Sequence, residues 1–259
     1  MVLAETSGAR NKPDYSKEVI GRPELIVFVG QSGAGKTTIT EAIGGNKIAS
    51  CDILREEVAR RGLEDNHANI HAVGMELIAQ DPAWQAKKAL EHVILGEPFI
   101  FDGPRNPEDL EFLLHSGHKV EIVGVYSPRA VRDQRVLDRE QLPITKEDFM
   151  QRCIDEILEA GLNRCLGLAT TFVFNNGNSL EQIRRDAVLL IHALMSRSFP
   201  LTVPHFTDAI ERFEAFIDTF PVVFTNAPDV LRPMREYLQW EETQLNGYRQ
   251  DKIPLGRFL

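Results

Sequence analysis

With 259 residues, 43% of them hydrophobic and 26% charged, the chain has material for one sizeable α/β domain and an appendage, and its composition excludes a disordered or fibrous protein. A formal net charge of -9 argues against polymeric nucleic acid as a partner, because such binding neutralises many phosphates; a local basic cleft around one small anion is still compatible with it. Cys51, Cys153 and Cys165 make no CxxC pair and no even-numbered framework. With a polar N-terminal segment and no run approaching about 18 apolar residues, they lead to the expectation of a cytoplasmic protein that does not enter a membrane.

Residues 1–22 read as a tail. Leu25-Ile26-Val27-Phe28-Val29 then forms the apolar, β-branched run of a strand covered on both faces. A glycine-rich turn follows, and Ile39 and Ile43 sit four apart in a helix that opens near Lys36 and stops at Gly44-Gly45. A short strand is predicted over 47–50, helical material from Asp52 to about Leu95, and a strand over 98–102. Asn106-Pro107 opens the next helix, 119–126 alternates as a strand, and Ser127-Pro128 starts another helix. Thr145-Lys146-Glu147-Asp148 resembles a capping box ahead of a helix whose apolar face carries Phe149, Cys153, Ile154, Ile157 and Leu158. A fifth strand is predicted over 170–174, and Ser179 with Gln182 caps a helix bearing Ile183, Ala187, Leu190, Ile191 and Leu194 on one side.

Five strands interleaved with helices predict a three-layer α/β/α domain with a five-stranded parallel sheet over residues 23–198. Past Ser198 the rhythm changes. Pro200, Pro204 and Pro221 punctuate two short helices, so 199–259 is expected to be a helical extension that packs on the domain or on a second subunit, making a homodimer.

Gly30-Gln31-Ser32-Gly33-Ala34-Gly35-Lys36-Thr37 fits G-x-x-x-x-G-K-[ST] without deviation and lies between a predicted strand and a predicted helix, where that motif belongs. Glycines at 30, 33 and 35 let successive amides, including those of Ser32 and Ala34, point inward, and the helix N-terminus adds partial positive charge for phosphate oxygens. Lys36 brings a mobile cation for the β and γ phosphates, the Thr37 hydroxyl is placed to ligate magnesium, and Thr38 is an extra donor. ATP and Mg²⁺ are the expected cofactors.

Two further segments follow predicted strand ends, where ligands collect in open parallel sheets. Asp102 ends an apolar strand and suits a carboxylate that holds magnesium through its water shell, or a helix N-cap. Arg55 and Arg105 offer planar forks for an acceptor phosphate or carboxylate, or surface partners for Glu56, Glu57 and Asp109. Arg132, Arg135 and Arg139 share one helix face, either converging on a transferring phosphoryl group or pairing with Asp133, Asp138 and Glu140. His67 and His71 stand four apart without a third ligand or an HExxH motif, which is weak support for a metal.

At these residues the chain resembles the adenylate-kinase-like group of P-loop kinases, which includes nucleoside monophosphate kinases, dephospho-coenzyme A kinases and archaeal nucleotide-kinase-like relatives. The resemblance runs from about Glu24 to Ser196, and Asp52-Ile53-Leu54-Arg55 and Asp102-Gly103-Pro104-Arg105 narrow it to this branch. It implies that Asp52, Arg55 and Arg105 bind the acceptor, that Arg135 and Arg139 belong to a lid, and that the turn Asn175-Asn176-Gly177 meets adenine. The implied activity is ATP-dependent phosphoryl transfer to a small nucleotide-like acceptor, most simply a nucleoside monophosphate. For a dephospho-coenzyme A or nucleoside-like hydroxyl, Asp52 becomes the leading base and Asp102 the reserve. The rival from another class is a nucleotide-dependent switch ATPase that signals through the segment after residue 200.

Overall fold

Alternate residues of a strand face opposite sides of its sheet, so a strand that is apolar at every position demands cover on both. In the computed structural model, which describes residues 23–94, 98–139, 145–175, 179–196, 222–225 and 228–249, β1 (Leu25–Val29) is buried at all five positions and lies in the middle of the sheet. It pairs in parallel with β3 (Phe99–Asp102) on one side and β4 (Val120–Tyr126) on the other. Beyond them lie β2 (Asn46–Ala49), paired with β3, and β5 (Thr171–Asn175), paired with β4, both parallel. The five-stranded parallel sheet predicted from sequence is therefore present.

Leu25, Val27 and Val29 join Phe99 and Phe101 in one core, closed by α4 (Trp84–Leu90), α5 (Pro107–Leu114), α8 (Leu162–Gly167) and the C-terminal helix α10 (Pro228–Arg249). Ile26 and Phe28 face the other core, with α1 (Lys36–Ile43) and α9 (Leu180–Ser196). Each such side chain removed from water contributes roughly 1.5–3 kcal/mol, and β1 alone supplies five.

The helical material expected after Asp52 divides into α2 (Ser50–Arg60), α3 (His67–Gln80) and α4. Gly62 adopts φ 68 after α2, and Asn66 restarts the chain as an N-cap that accepts from the Asn69 amide at 2.9 Å. The helix expected after residue 145 is α7 (Lys146–Ile154), and it runs on as a π-helical turn, Asp155–Glu159, in which the Ala160 amide donates to the Asp155 carbonyl at 2.9 Å. Its apolar face splits accordingly. Phe149 and Cys153 pack with Val136 of α6 (Arg129–Arg139), whereas Met150, Ile154 and Ile157 pack on Leu245 of α10.

The extension departs from the all-helical expectation. Val222–Thr225 forms β6, which pairs antiparallel with β5 and makes the sheet six-stranded in the order β2-β3-β1-β4-β5-β6. The β-branched Val-Val and Phe-Thr of this segment fit a strand better than a helix, and an edge position tolerates Pro221 just before it. One long helix, α10, then replaces the second of the two short ones, while the residues expected to form the first lie outside those described.

Asp109 in the first turn of α5 is fully buried, and its Oδ1 accepts from the Ala86 amide of α4 at 2.8 Å, capping that helix from a distance. Burial pushes its carboxyl up to about 7, against the pull of that amide and helped by the charges of Glu108 and Asp81. The folded state therefore holds a proton that the unfolded chain releases near 3.8, so this group's contribution to stability is complete at low pH and is lost as pH rises from 3.8 through about 7. The melting temperature of Asp109→Asn, which keeps the acceptor and loses the charge, is expected to fall less over that window than that of the natural protein; calorimetry across pH checks it.

Candidate active site

Because β1, β3 and β4 are parallel, the loops that leave their carboxyl ends gather at one edge. The loop from Gly30 to Thr37 leaves β1 there and runs straight into α1, whose N-cap, Gly35, stands at φ 97 with no side chain satisfying the first-turn amides. Those amides stay open to an anion. Gly33 also has positive φ, at 80, and a Cβ on it would lie 2.7 Å from the Arg132 carbonyl oxygen, so α6 packs on the loop main chain directly. The Ala34 amide closes the turn on the Gln31 carbonyl at 3.1 Å.

Lys36 folds back under this loop, its Nζ donating to the carbonyls of Gly30 at 2.5 Å and Gln31 at 3.3 Å. Burial pulls its pKa down; Asp102 and Glu156 oppose the fall, while Arg105 and Arg132 reinforce it. All four of these charged groups thus lie within electrostatic reach of one ammonium.

Two side chains brace the loop from behind. Asn175, at the end of β5 and fully buried, donates from Nδ2 to the Ala34 carbonyl at 2.8 Å. Arg135 donates to the Gly33 carbonyl at 3.1 Å and to Asn175 Oδ1 at 3.0 Å. A Cβ at Gly35 would run into the Asn175 amide. Arg132 does not face the ligand edge: it is 1% exposed, donates from Nε to the Ser127 carbonyl at 3.1 Å and pairs with Glu241 of α10 at 3.6 Å. The side chain of Arg139, at the end of α6, and Asn176 lie outside the described residues.

Glu156, in the π-helical turn, carries no sequence signal of function, yet it sits on the loop. Its Oε2 accepts from the Ser32 amide at 3.0 Å, its Oε1 accepts from the Ser32 hydroxyl, and Arg105 Nη1 approaches Oε1 at 3.3 Å. Burial would raise its pKa, but Arg105, Lys36 and the Ser32 bonds outweigh it and hold the group ionised. A carboxylate is thus gripped here by a loop amide and an arginine from the loop after β3.

Asp102 ends β3, and its Oδ2 accepts from Thr40 at 3.0 Å while Oδ1 is buried with no hydrogen-bond partner among the described residues. Burial raises its pKa, with Lys36 and Thr40 working against the rise. Thr40 Oγ1 also donates to the Thr37 carbonyl at 3.2 Å, so one side chain links Asp102 to the start of α1; a carboxylate oxygen and the exposed Thr37 hydroxyl are the hard oxygen donors that Mg²⁺ takes. Asp52, close enough to add its charge to Asp102, lies on the surface of α2, and its Oδ1 accepts from Arg55 at 3.2 Å. Arg55 also approaches Asp65 at 3.5 Å. These two acceptor-side candidates therefore begin paired with each other, in a solvent-screened contact that is readily exchanged.

A parallel sheet ordered 2-3-1-4-5 with this loop between its central strand and α1 defines the P-loop kinase fold. The chain belongs to the Zeta toxin family, whose model matches residues 7–162. A UPF0200 protein of Aeropyrum pernix is 30% identical over 168 residues, which are 63% of this chain and 89% of that one. A UPF0200 protein of Thermococcus gammatolerans is 26% identical over 178 residues, covering 64% and 93%. Among solved structures, a gluconokinase from Sinorhizobium meliloti is similar with TM-score 0.43 and 18% identity, covering 68% of this chain and 96% of that one. Shikimate kinase from Aquifex aeolicus is similar with TM-score 0.43 and 16% identity over 65% and 96%. No helix among the described residues is long and apolar enough to cross a membrane.

Removing the amide of Asn175 leaves the Ala34 carbonyl unpaired in the interior, a loss of about 1–3 kcal/mol. Asn175→Ala is expected to lower the denaturation midpoint accordingly with its slope unchanged, as urea titration would show.

Proposed function

We propose that the protein is a magnesium- and ATP-dependent kinase that transfers the γ-phosphoryl group to a small, nucleotide-like acceptor. The observation that carries this reading is the carboxylate of Glu156, held at once by the Ser32 amide of the phosphate loop and by Arg105 from the loop after β3. An arginine that reaches the anion on the loop is within reach of a phosphoryl group in transit, and together with Arg55 it makes two acceptor-side arginine motifs, which supports transfer over switching.

In this reading the loop amides, the α1 N-terminus and Lys36 hold the polyphosphate, while Thr37 and Asp102 hold Mg²⁺, which neutralises charge on the phosphate oxygens. Arg105 and Arg55 orient the acceptor once the Asp52–Arg55 pair opens. Arg135 keeps Gly33 and Asn175 in register behind the loop, and Arg139 is assigned the lid role that closes over the transferring phosphoryl group. A nucleoside monophosphate requires no general base; a hydroxyl acceptor makes Asp52 the proton acceptor. Residues 23–198 form the catalytic domain in this scheme, and 199–259 are its C-terminal extension.

ADP release measured with nucleoside monophosphates, nucleosides and dephospho-coenzyme A in turn tests the proposal. Turnover is expected to depend on the acceptor and to fall by at least roughly 10²-fold in Lys36→Ala. Hydrolysis of ATP at the same rate with no acceptor present would instead favour the switch ATPase.

Glu156 and a terminal phosphate compete for the same donors on Ser32. Glu156→Gln is expected to tighten ATP binding by roughly fivefold, about 1 kcal/mol, and ADP binding by less, as calorimetric titration would register.

A further inference from the structure

The buried stripe of α10 runs Met234, Tyr237, Leu238, Glu241 and Leu245, at the spacing of one helix face. Glu241 is its only charged member, and it lies outside the span matched by the family model. Its Oε2 accepts from Gln31 Nε2 at 2.7 Å and from Asn163 Nδ2 at 3.3 Å, and its Oε1 faces Arg132 at 3.6 Å. Gln31, Asn163 and Arg132 are all at least nine-tenths buried.

Both principal partners are tied to the phosphate loop. Gln31 is its second residue, and the Gln31 carbonyl receives the Ala34 amide and one bond from Lys36. Arg132 lies against Gly33 through its own main chain. Burial costs so much for a lone guanidinium or carboxylate that the two must remain together, and the pair is weak evidence for stability as such.

We infer that Glu241 is a positioning residue of the phosphate loop: by fixing Gln31 and Arg132 it holds the loop amides in their anion-binding arrangement, so that nucleotide affinity depends on the C-terminal helix. This rests on the kinase reading only in needing the loop to bind nucleotide. The Gln31 bond sets where the loop leaves β1, and the Arg132 pair sets where α6 meets Gly33. A loop held at both points before the ligand arrives loses less freedom on binding it.

The test measures the dissociation constant for magnesium ADP, the KM for ATP, kcat and melting temperature in the full chain for Glu241→Gln, Gln31→Leu, their double variant and Met234→Ala. Met234, fully buried about two turns before Glu241 on the same face, serves as the packing control. Glu241→Gln is expected to weaken ADP binding roughly tenfold and to raise KM more than it lowers kcat. Gln31→Leu, which leaves the Arg132 pair in place, should act in the same direction, and the double variant should be weaker by less than the product of the two. Met234→Ala should lower the melting temperature with ADP affinity unchanged. Should Glu241→Gln fail to fold, Gln31→Leu against Met234→Ala decides alone. Wild-type affinity in both of these loop-linked variants, or weakening in Met234→Ala equal to theirs, overturns the inference and leaves the kinase reading standing. Failure of the natural protein itself to bind magnesium nucleotides removes both.

Discussion

Main-chain amides that converge on one point repel one another until an anion joins them, and the region around Ser32 is organised by that requirement. The amides exist because positive φ at Gly33 and Gly35 turns the chain inward and because α1 starts without a side-chain cap. The anion in the structure is the carboxylate of Glu156, delivered by a π-helical turn. The cations that gather there, Lys36 and Arg105, would otherwise repel each other as well. An acidic chain thus concentrates positive potential in one small place, which suits a ligand of a few phosphates and not an extended polyanion.

Behind the loop the logic reverses, since every carbonyl turned away from the ligand needs a donor. Asn175 and Arg135 serve Ala34 and Gly33, and Lys36 serves Gly30 and Gln31. Side chains that sequence patterns associate with nucleotide contact are in this way also the scaffold of the loop. Asn175 comes from the fifth strand and Arg135 from the sixth helix, so the loop's shape is a property of the whole sheet edge and not of an eight-residue motif alone.

Much of this was readable from the chain. β1, β3, β4 and β5 announce themselves by apolar runs, the phosphate loop by its glycines and lysine, and Asp102 and Arg105 by their position at the end of a strand and just beyond it. Glu156 was not, because a lone carboxylate beside the apolar face of a helix reads as solvated, and the π turn that swings it inward answers to tertiary contacts on Leu245 and Ser32. Glu241 did leave a trace: it interrupts an otherwise apolar stripe between Leu238 and Leu245, a pattern that signals a buried polar partner. β6 is four residues long, too short for alternation to separate it from its surroundings.

The pairing of β6 with β5 matters beyond nucleotide chemistry. At the opposite margin the sheet ends in β2, a four-residue strand that carries an exposed lysine, Lys47, a form of edge that discourages other chains from adding to it. β5, with Phe172, Val173 and Phe174 at its centre, is buried throughout and longer, and among the described residues the antiparallel pairing of Val222–Thr225 covers its outer rim. A chain without Val222–Thr225 would therefore uncover an adhesive selvage of main-chain donors and acceptors, a seam through which copies could join.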